Sequence, residues 1–415
     1  MTSERRTALI VAGAGGLVFV VLAAWLVPWQ PVPGGVPAPA APGSVFTAEQ
    51  VRRAEEFSSG ARVLGWLSLA VSLAVTCWWG FSARGQRLAE RLPGPWWCRV
   101  LLVVALVQLA VRIVTLPFAV LLRRRLLEYG LTHQSWTGFA ADLARSQAVG
   151  IVTVALGVGV LVGCARRWRR AWPAVAGGLL AVLVLLGSFG YPVVVEPLFN
   201  SFQSLPDGPL RSRILRLAER EGVRVEDVLV ADASRRTTTL NAYVSGFGST
   251  RRVVVYDNLV ESLPEDEALS VVAHELAHAR HGDVVNGSVL GAVGAACGVG
   301  LLGLLLTSGR ARRRSIADPA TVPFVLALIA LGSLLASPVQ NTVSRQVEAR
   351  ADVDALRATQ DPEAFVAMQR QLALRSLADP TPPAWSQLWF GSHPTTLTRI
   401  AIARSGRYED PAQEK

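Results

Sequence analysis

Seven long apolar blocks, at about residues 8–27, 63–81, 100–122, 148–164, 172–195, 284–306 and 322–336, constrain this chain more than any other feature. Apolar runs near 18 residues are the length of a membrane-crossing helix. A soluble chain of 415 residues would suggest two or three domains. Here the blocks, with 51% hydrophobic residues and a mean hydropathy of +0.35, predict a multi-pass membrane protein instead. The first block is long for the core of a cleaved signal, so a retained helix is the favoured reading and a signal peptide the alternative. The Pro-rich stretch 28–42 cannot be helical, and 47–62 reads as a charged surface helix. Arg112 interrupts the third block. An ionisable group at that depth faces a bundle interior or a wet cavity.

The net charge is +10, from 41 basic and 31 acidic residues, and Lys415 is the only lysine. The arginines sit in short loops beside the apolar blocks, which speaks for membrane orientation and against nucleic acid. Arg5 and Arg6 precede the first block. Arg84, Arg87, Arg91 and Arg99 lie between the second and third, Arg166, Arg167, Arg169 and Arg170 between the fourth and fifth, and Arg310, Arg312, Arg313 and Arg314 between the sixth and seventh. All fall on one side, and Arg123, Arg124 and Arg125 oppose them. The positive-inside rule then places the polar regions outside the cytoplasm, at the plasma membrane. Cys77, Cys98, Cys164 and Cys297 lie in or beside apolar segments without paired spacing, so they read as packing residues.

The longest polar stretch, 196–283, has its own pattern. Leu210, Ile214, Leu217 and Ala218 have helical spacing. Residues 225–231 read as a strand, and 241–246 and 252–257 as a hairpin across a Gly-Ser-Thr turn. Ser262-Leu263-Pro264-Glu265 fits a capping box, which predicts a helix from about Leu263. The chain divides into a five-span region (1–195), a polar catalytic segment (196–283), two spans (284–338) and a C-terminal catalytic segment (339–415). The fold class is mainly α: a seven-span helical bundle with a small α+β domain at one membrane face. Gly291, Gly294, Gly298 and Gly300 would let the sixth span approach a neighbour or would face a water-filled chamber.

Three of the five histidines lie within 274–281, where residues 274–278 read His-Glu-Leu-Ala-His. On a helix, residues i and i+4 share a face, so His274 and His278 can hold one metal ion while Glu275 reaches a water beside it. A catalytic zinc site needs a third protein ligand and an open position. The candidates are His281, Glu348, Asp352 and His393. Three ligands in a row on one helix converge poorly, which counts against His281. Glu348, just after the seventh block, returns to the face that the motif helix leaves. Asp352, one turn on, could orient a ligand histidine from behind. His393 and Tyr243 are candidate donors to a developing oxyanion. The strand Asn241-Ala242-Tyr243 could take a peptide as an added strand.

The residues resemble those of the type I CAAX prenyl endopeptidases, integral-membrane zinc metalloproteases of the gluzincin kind. The most specific pieces are H-E-L-A-H at 274–278 and E-A-R-A-D at 348–352. P-L-F-N-S-F at 197–202, N-A-Y-V-S-G-F at 241–247, R-V-V-V-Y-D-N-L at 252–259 and S-H-P at 392–394 add to them, with a weaker echo in L-P-F at 116–118. The resemblance implies one zinc ion per chain on His274, His278 and Glu348, with Glu275 as base. It also implies that His393 assists the transition state and that Asn241 and nearby backbone bind substrate. The partners it implies are the bilayer and a peptide or protein, with or without a lipid group. In that family the catalytic domain is cytosolic, which the arginine distribution here contradicts. The competing expectations are a general quality-control protease and a transporter or scaffold of protease shape.

Overall fold

The structure, a computed structural model, describes residues 2–246, 248–308 and 315–409. The loop arginines from Arg310 to Arg314 lie outside the described residues, as does Phe247. Seven helices are long and apolar enough to cross a membrane: α1 (Ser3–Leu26), α2 (Ala48–Phe81), α4 (Trp96–Glu128), α5 (Trp136–Arg167), α6 (Trp172–Val194), α10 (Asp283–Leu306) and α11 (Val322–Thr359). A short helix, α3 (Ala83–Arg91), joins α2 to α4. The expected spans are all present, but three are parts of longer helices. The charged segment 47–62 and the second span form one helix, opened by a capping box in which Thr47 and Gln50 bond each other's backbone. The fourth span starts at Trp136 under a Ser135 cap. The seventh continues from apolar to polar sequence as one helix of 38 residues, about 57 Å long. Helix hydrogen bonding does not stop where hydropathy changes, so an apolar window underestimates such helices.

The spans neighbour one another in the order α1, α10, α6, α5, α4, α2, α11, and α11 returns to touch α10. This is a ring of neighbours, and much of each span's surface is left uncovered by protein. No residue in the most apolar stretch of α6 is buried. Close approach between α1 and α10 depends on small residues. A Cβ on Gly300 would lie 2.4 Å from the Ala12 backbone nitrogen, so only glycine fits. Gly298 has open space around it and plays no such part.

The polar segments assemble into one α+β unit. Four strands, β1 (Phe202–Ser204), β2 (Asp227–Ala231), β3 (Ala242–Ser245) and β4 (Arg252–Tyr256), form a sheet in the order β1-β2-β4-β3. The expected hairpin is β3–β4, antiparallel, with Tyr243 opposite Val254. β2 pairs parallel with β4, and the short β1 is an addition that its three residues did not announce. α13 (Ala384–Phe390) lies against α11, and around the sheet pack α7 (Pro209–Arg220), α8 (Asp257–Ser262), α9 (Glu265–His281), α12 (Pro362–Ser376) and α14 (Thr396–Arg404). Their shared core joins Ile214, Leu217, Val253, Val272, Leu276, Leu356, Phe365 and Ile402, all essentially inaccessible. The polar half of α11 runs through this core. The C-terminal helices and the motif helix therefore fold as one body, although two spans separate them in sequence.

The capping box expected at Ser262–Glu265 does not form. Ser262 ends α8, and α9 begins at Glu265 after Pro264, with no side-chain cap. Proline's fixed φ separates the two helices at that point. α9 instead gains from its charge order, with Glu265, Asp266 and Glu267 in the first turn and His278, Arg280 and His281 in the last. It stops at Gly282, whose φ of +66° is left-handed, and α10 starts at the next residue. That glycine turns the chain from the metal motif straight into a membrane span.

Candidate metal centre and active site

His274 and His278 occupy one face of α9, and Glu348 reaches them from α11. His274 Nε2 lies 3.1 Å from Glu348 Oε2 and 3.2 Å from His278 Nε2, and His278 Nε2 lies 3.7 Å from Glu348 Oε1. Tetrahedral zinc with bonds near 2.0–2.1 Å separates its ligand atoms by about 3.3 Å. The three donors thus fit one such ion with a fourth position left over. Among the described residues these three form the one cluster of this kind. His281, the rejected alternative, turns away and pairs with Asp354 at 2.7 Å.

Both histidines are held from behind. His274 Nδ1 lies 3.0 Å from Asp352 Oδ1. Asp352 is fully buried and accepts from Arg399 Nε at 2.8 Å. With its amide oxygen turned inward, buried Gln369 accepts from the same Arg399 Nε at 3.1 Å. His278 Nδ1 lies 2.9 Å from Asp283 Oδ2, and Arg350 bonds the other oxygen of Asp283. Such partners fix which ring nitrogen faces the ion. Arg399, Gln369, Asp283 and Arg350 escaped the sequence reading. Arg399 closes the same nine-residue segment that supplies His393, but nothing in its spacing marks an arginine that folds back to a histidine.

The electrostatics favour a cation. Among the described residues, the arginines paired with this group are Arg350, on Asp283, and Arg399, on Asp352, so with Glu275 and Glu348 the four carboxylates leave a formal excess of two negative charges that a divalent ion would balance. Burial opposes charge on His274, but its hydrogen bonds to Asp352 and Glu348 outweigh that and lift the ring to about 10. A proton there answers the same demand for positive charge. Burial pushes the Glu275 carboxyl above its ordinary value, against the pull of both imidazoles. A carboxylate raised in this way is suited to accept a proton near neutral pH.

His393 Nε2 stands 3.4 Å from Glu348 Oε2, and its side chain is 57% exposed, so a substrate can reach it. Its position is set by Ser392 Oγ, 2.8 Å from Nδ1, and by Gln387, which donates to its carbonyl. β3 is an edge strand beside α9. The Tyr256 N–H donates to the Asn241 carbonyl, so by antiparallel alternation Asn241 and Tyr243 turn their backbone groups to β4. Ala242 and Val244 present theirs at the free edge. The Tyr243 hydroxyl donates to Glu196, and burial, then the Glu196 charge, raises its pKa. The phenol is thus engaged away from the metal donors.

Comparison with known proteins bears on this geometry. The model for peptidase family M48 matches residues 204–406, and that for the CAAX prenyl protease N-terminal region, five membrane helices, matches 38–201. An uncharacterised metalloprotease of Bacillus subtilis, YhfN, is 28% identical over 319 residues, 72% of each chain. A CAAX prenyl protease 1 homolog of Oryza sativa is 32% identical over 54% of each chain. The crystal structure of S. mikatae Ste24p superposes with a TM-score of 0.78 at 19% identity, over 96% of this chain and 99% of that one, and shows the fold. The chain is a multi-pass membrane metallopeptidase that belongs to family M48, of the CAAX prenyl protease type.

Proposed function

We propose that the chain is a zinc endopeptidase, with His274, His278 and Glu348 as the metal ligands. The mutual spacing of those three donors, with Glu275 beside them, carries this reading. Zinc, when bound, supplies a Lewis acid at the scissile carbonyl. Glu275 takes the proton of the attacking water and passes it to the leaving amine. His393 donates to the developing oxyanion from the open side of Glu348. The free backbone groups of Ala242 and Val244 bind the peptide as a fifth strand, with Asn241 and Tyr243 holding β3 in place. Asp352, held by Arg399, fixes the tautomer of His274.

The test is cleavage of an unmodified peptide pool by the detergent-purified protein, with and without a zinc chelator, beside Glu275→Gln. Chelator-sensitive cleavage absent from the variant supports the reading. No cleavage and no bound metal refutes it.

We further propose that the catalytic face is extracytoplasmic. Loop arginines at the opposite end outnumber the three on the catalytic side, and two of those three have structural work. Arg123 bonds Gln134 between the rings of Trp136 and Phe139, and Arg125 bonds the Glu56 and Phe57 carbonyls. Substrates would then be peptides outside the cytoplasm and need no prenyl group, unlike those named for the CAAX relatives. An alkaline phosphatase fusion at the C-terminus should be active, and a fluorescent green-protein fusion there would overturn the assignment.

A further inference from the structure

α4 carries a guanidinium at mid-depth. Arg112 lies sixteen residues from either end of the helix, about 24 Å along its axis. It forms no ion pair among the described residues. A directed chain of hydrogen bonds holds it instead. Arg112 Nε donates to Gln147 Oε1 at 2.8 Å, Gln147 Nε2 donates to Gln108 Oε1 at 3.4 Å, and Gln108 Nε2 donates to the Gly150 carbonyl at 3.4 Å. The chain fixes Nε and leaves both terminal nitrogens of the fork without a partner among the described residues. Charges at this depth face a protein interior or a wet cavity rather than lipid. A fixed fork with free N–H groups is matched by a carboxylate or a phosphate.

We propose that Arg112, positioned by Gln147 and Gln108, binds the C-terminal carboxylate of a peptide that has entered the ring of spans. Depth favours the carboxylate. Lipid phosphates lie beyond the hydrocarbon, about 15 Å from its centre. This inference rests on the endopeptidase reading and gives it a length rule. Val100, Val103, Val104 and Val107 of α4 share one packed cluster with Val322 and Leu326 of α11, which brings these two stretches to about the same level. Arg112 is twelve residues above Val100, and Glu348 is twenty-six above Val322. At about 1.5 Å per residue the two differ in height by about 20 Å. An extended peptide covers that height in about six residues. A substrate anchored at Arg112 is therefore cut about six or more residues from its C-terminus.

The experiment uses full-length Glu275→Gln protein in phosphatidylcholine nanodiscs. Binding of a fluorescent twelve-residue peptide with a free C-terminal carboxylate is compared with that of its amide by anisotropy. The acid should bind at least ~10-fold tighter. Arg112→Gln should reduce that preference to ~2-fold or less, and Arg112→Lys should keep part of it, which separates charge from misfolding. An unchanged preference in Arg112→Gln overturns the proposal, as does equal or absent binding of acid and amide by the parent. If phosphatidylglycerol in the discs removes the preference, the site belongs to lipid and the proposal also fails. The binding readout is independent of turnover. A preference that depends on Arg112, with no cleavage by the Glu275-intact protein, would sink the peptidase reading and the length rule with it, and leave the carboxylate site standing. With cleavage, mass spectrometry of the products checks the six-residue rule.

Discussion

Asp352→Asn tests whether the buried carboxylate acts through His274. In the native protein one Asp352 oxygen faces His274 Nδ1 at 3.0 Å, and both oxygens accept from Arg399. Asparagine keeps the volume but has a single acceptor, so either the histidine or the arginine faces an amide N–H. If the oxygen stays with Arg399, the His274 ring loses its orientation and its Nε2 is no longer fixed toward Glu348. Loss of such a partner weakens metal binding by about 10–100-fold, or ~1.4–2.7 kcal/mol. Arg399, whose side chain is 12% exposed, also loses its counter-charge, which in other buried pairs costs about 3–5 kcal/mol of stability. Gln369 remains as an acceptor and should hold the loss near the lower figure. The assay is zinc affinity by chelator competition, with peptide kcat/KM measured at limiting and at saturating zinc. The variant should lose ~10–100-fold in affinity, and more activity at limiting than at saturating zinc. A folded variant with zinc affinity within ~2-fold of the parent would refute the reasoning.

The other predictions concern the base, the apo state, the helix clasp and the strand edge. Glu275→Gln should lower kcat by ~10²–10⁴-fold while keeping one zinc per chain by metal analysis. The pKa of His274 is raised on folding from 6.5 to about 10, so its contribution to apo stability is full below about 6.5 and lost as pH rises through about 10. Thermal melts of chelated protein should fall across that window, and zinc should flatten the slope by supplying the positive charge. His281→Ala breaks the contact with buried Asp354 and should cost about 1–3 kcal/mol in melting experiments with zinc stoichiometry unchanged. Val244→Pro removes an N–H from the free edge of β3, where no ladder bond depends on it. It should raise KM more than it lowers kcat, and an unchanged KM would remove strand addition from the mechanism.

What the sequence made legible follows from the range of each physical signal. Spans are legible because hydropathy is local and the bilayer fixes a length. The β3–β4 hairpin was legible because a short turn joins two β-rich runs. The motif histidines declare themselves through helical spacing alone. Helix boundaries failed where neighbouring signals conflicted: Ser262 and Glu265 have the spacing of a cap, but Pro264 between them ends one helix and starts another. The groups behind the donors were the least legible. Arg399 reaches Asp352 across 47 positions and His274 across 125, and no periodicity spans such distances. Asp283 escaped for the opposite reason. It lies five residues from His278, a separation that would put the two on different faces of one continuous helix. The left-handed Gly282 between them turns the chain and brings Asp283 back to the ring. A glycine read as a stop signal thus also builds the site, and Gly282→Ala, strained at a φ of +66°, should disturb His278 as well as the entry of α10 into the membrane.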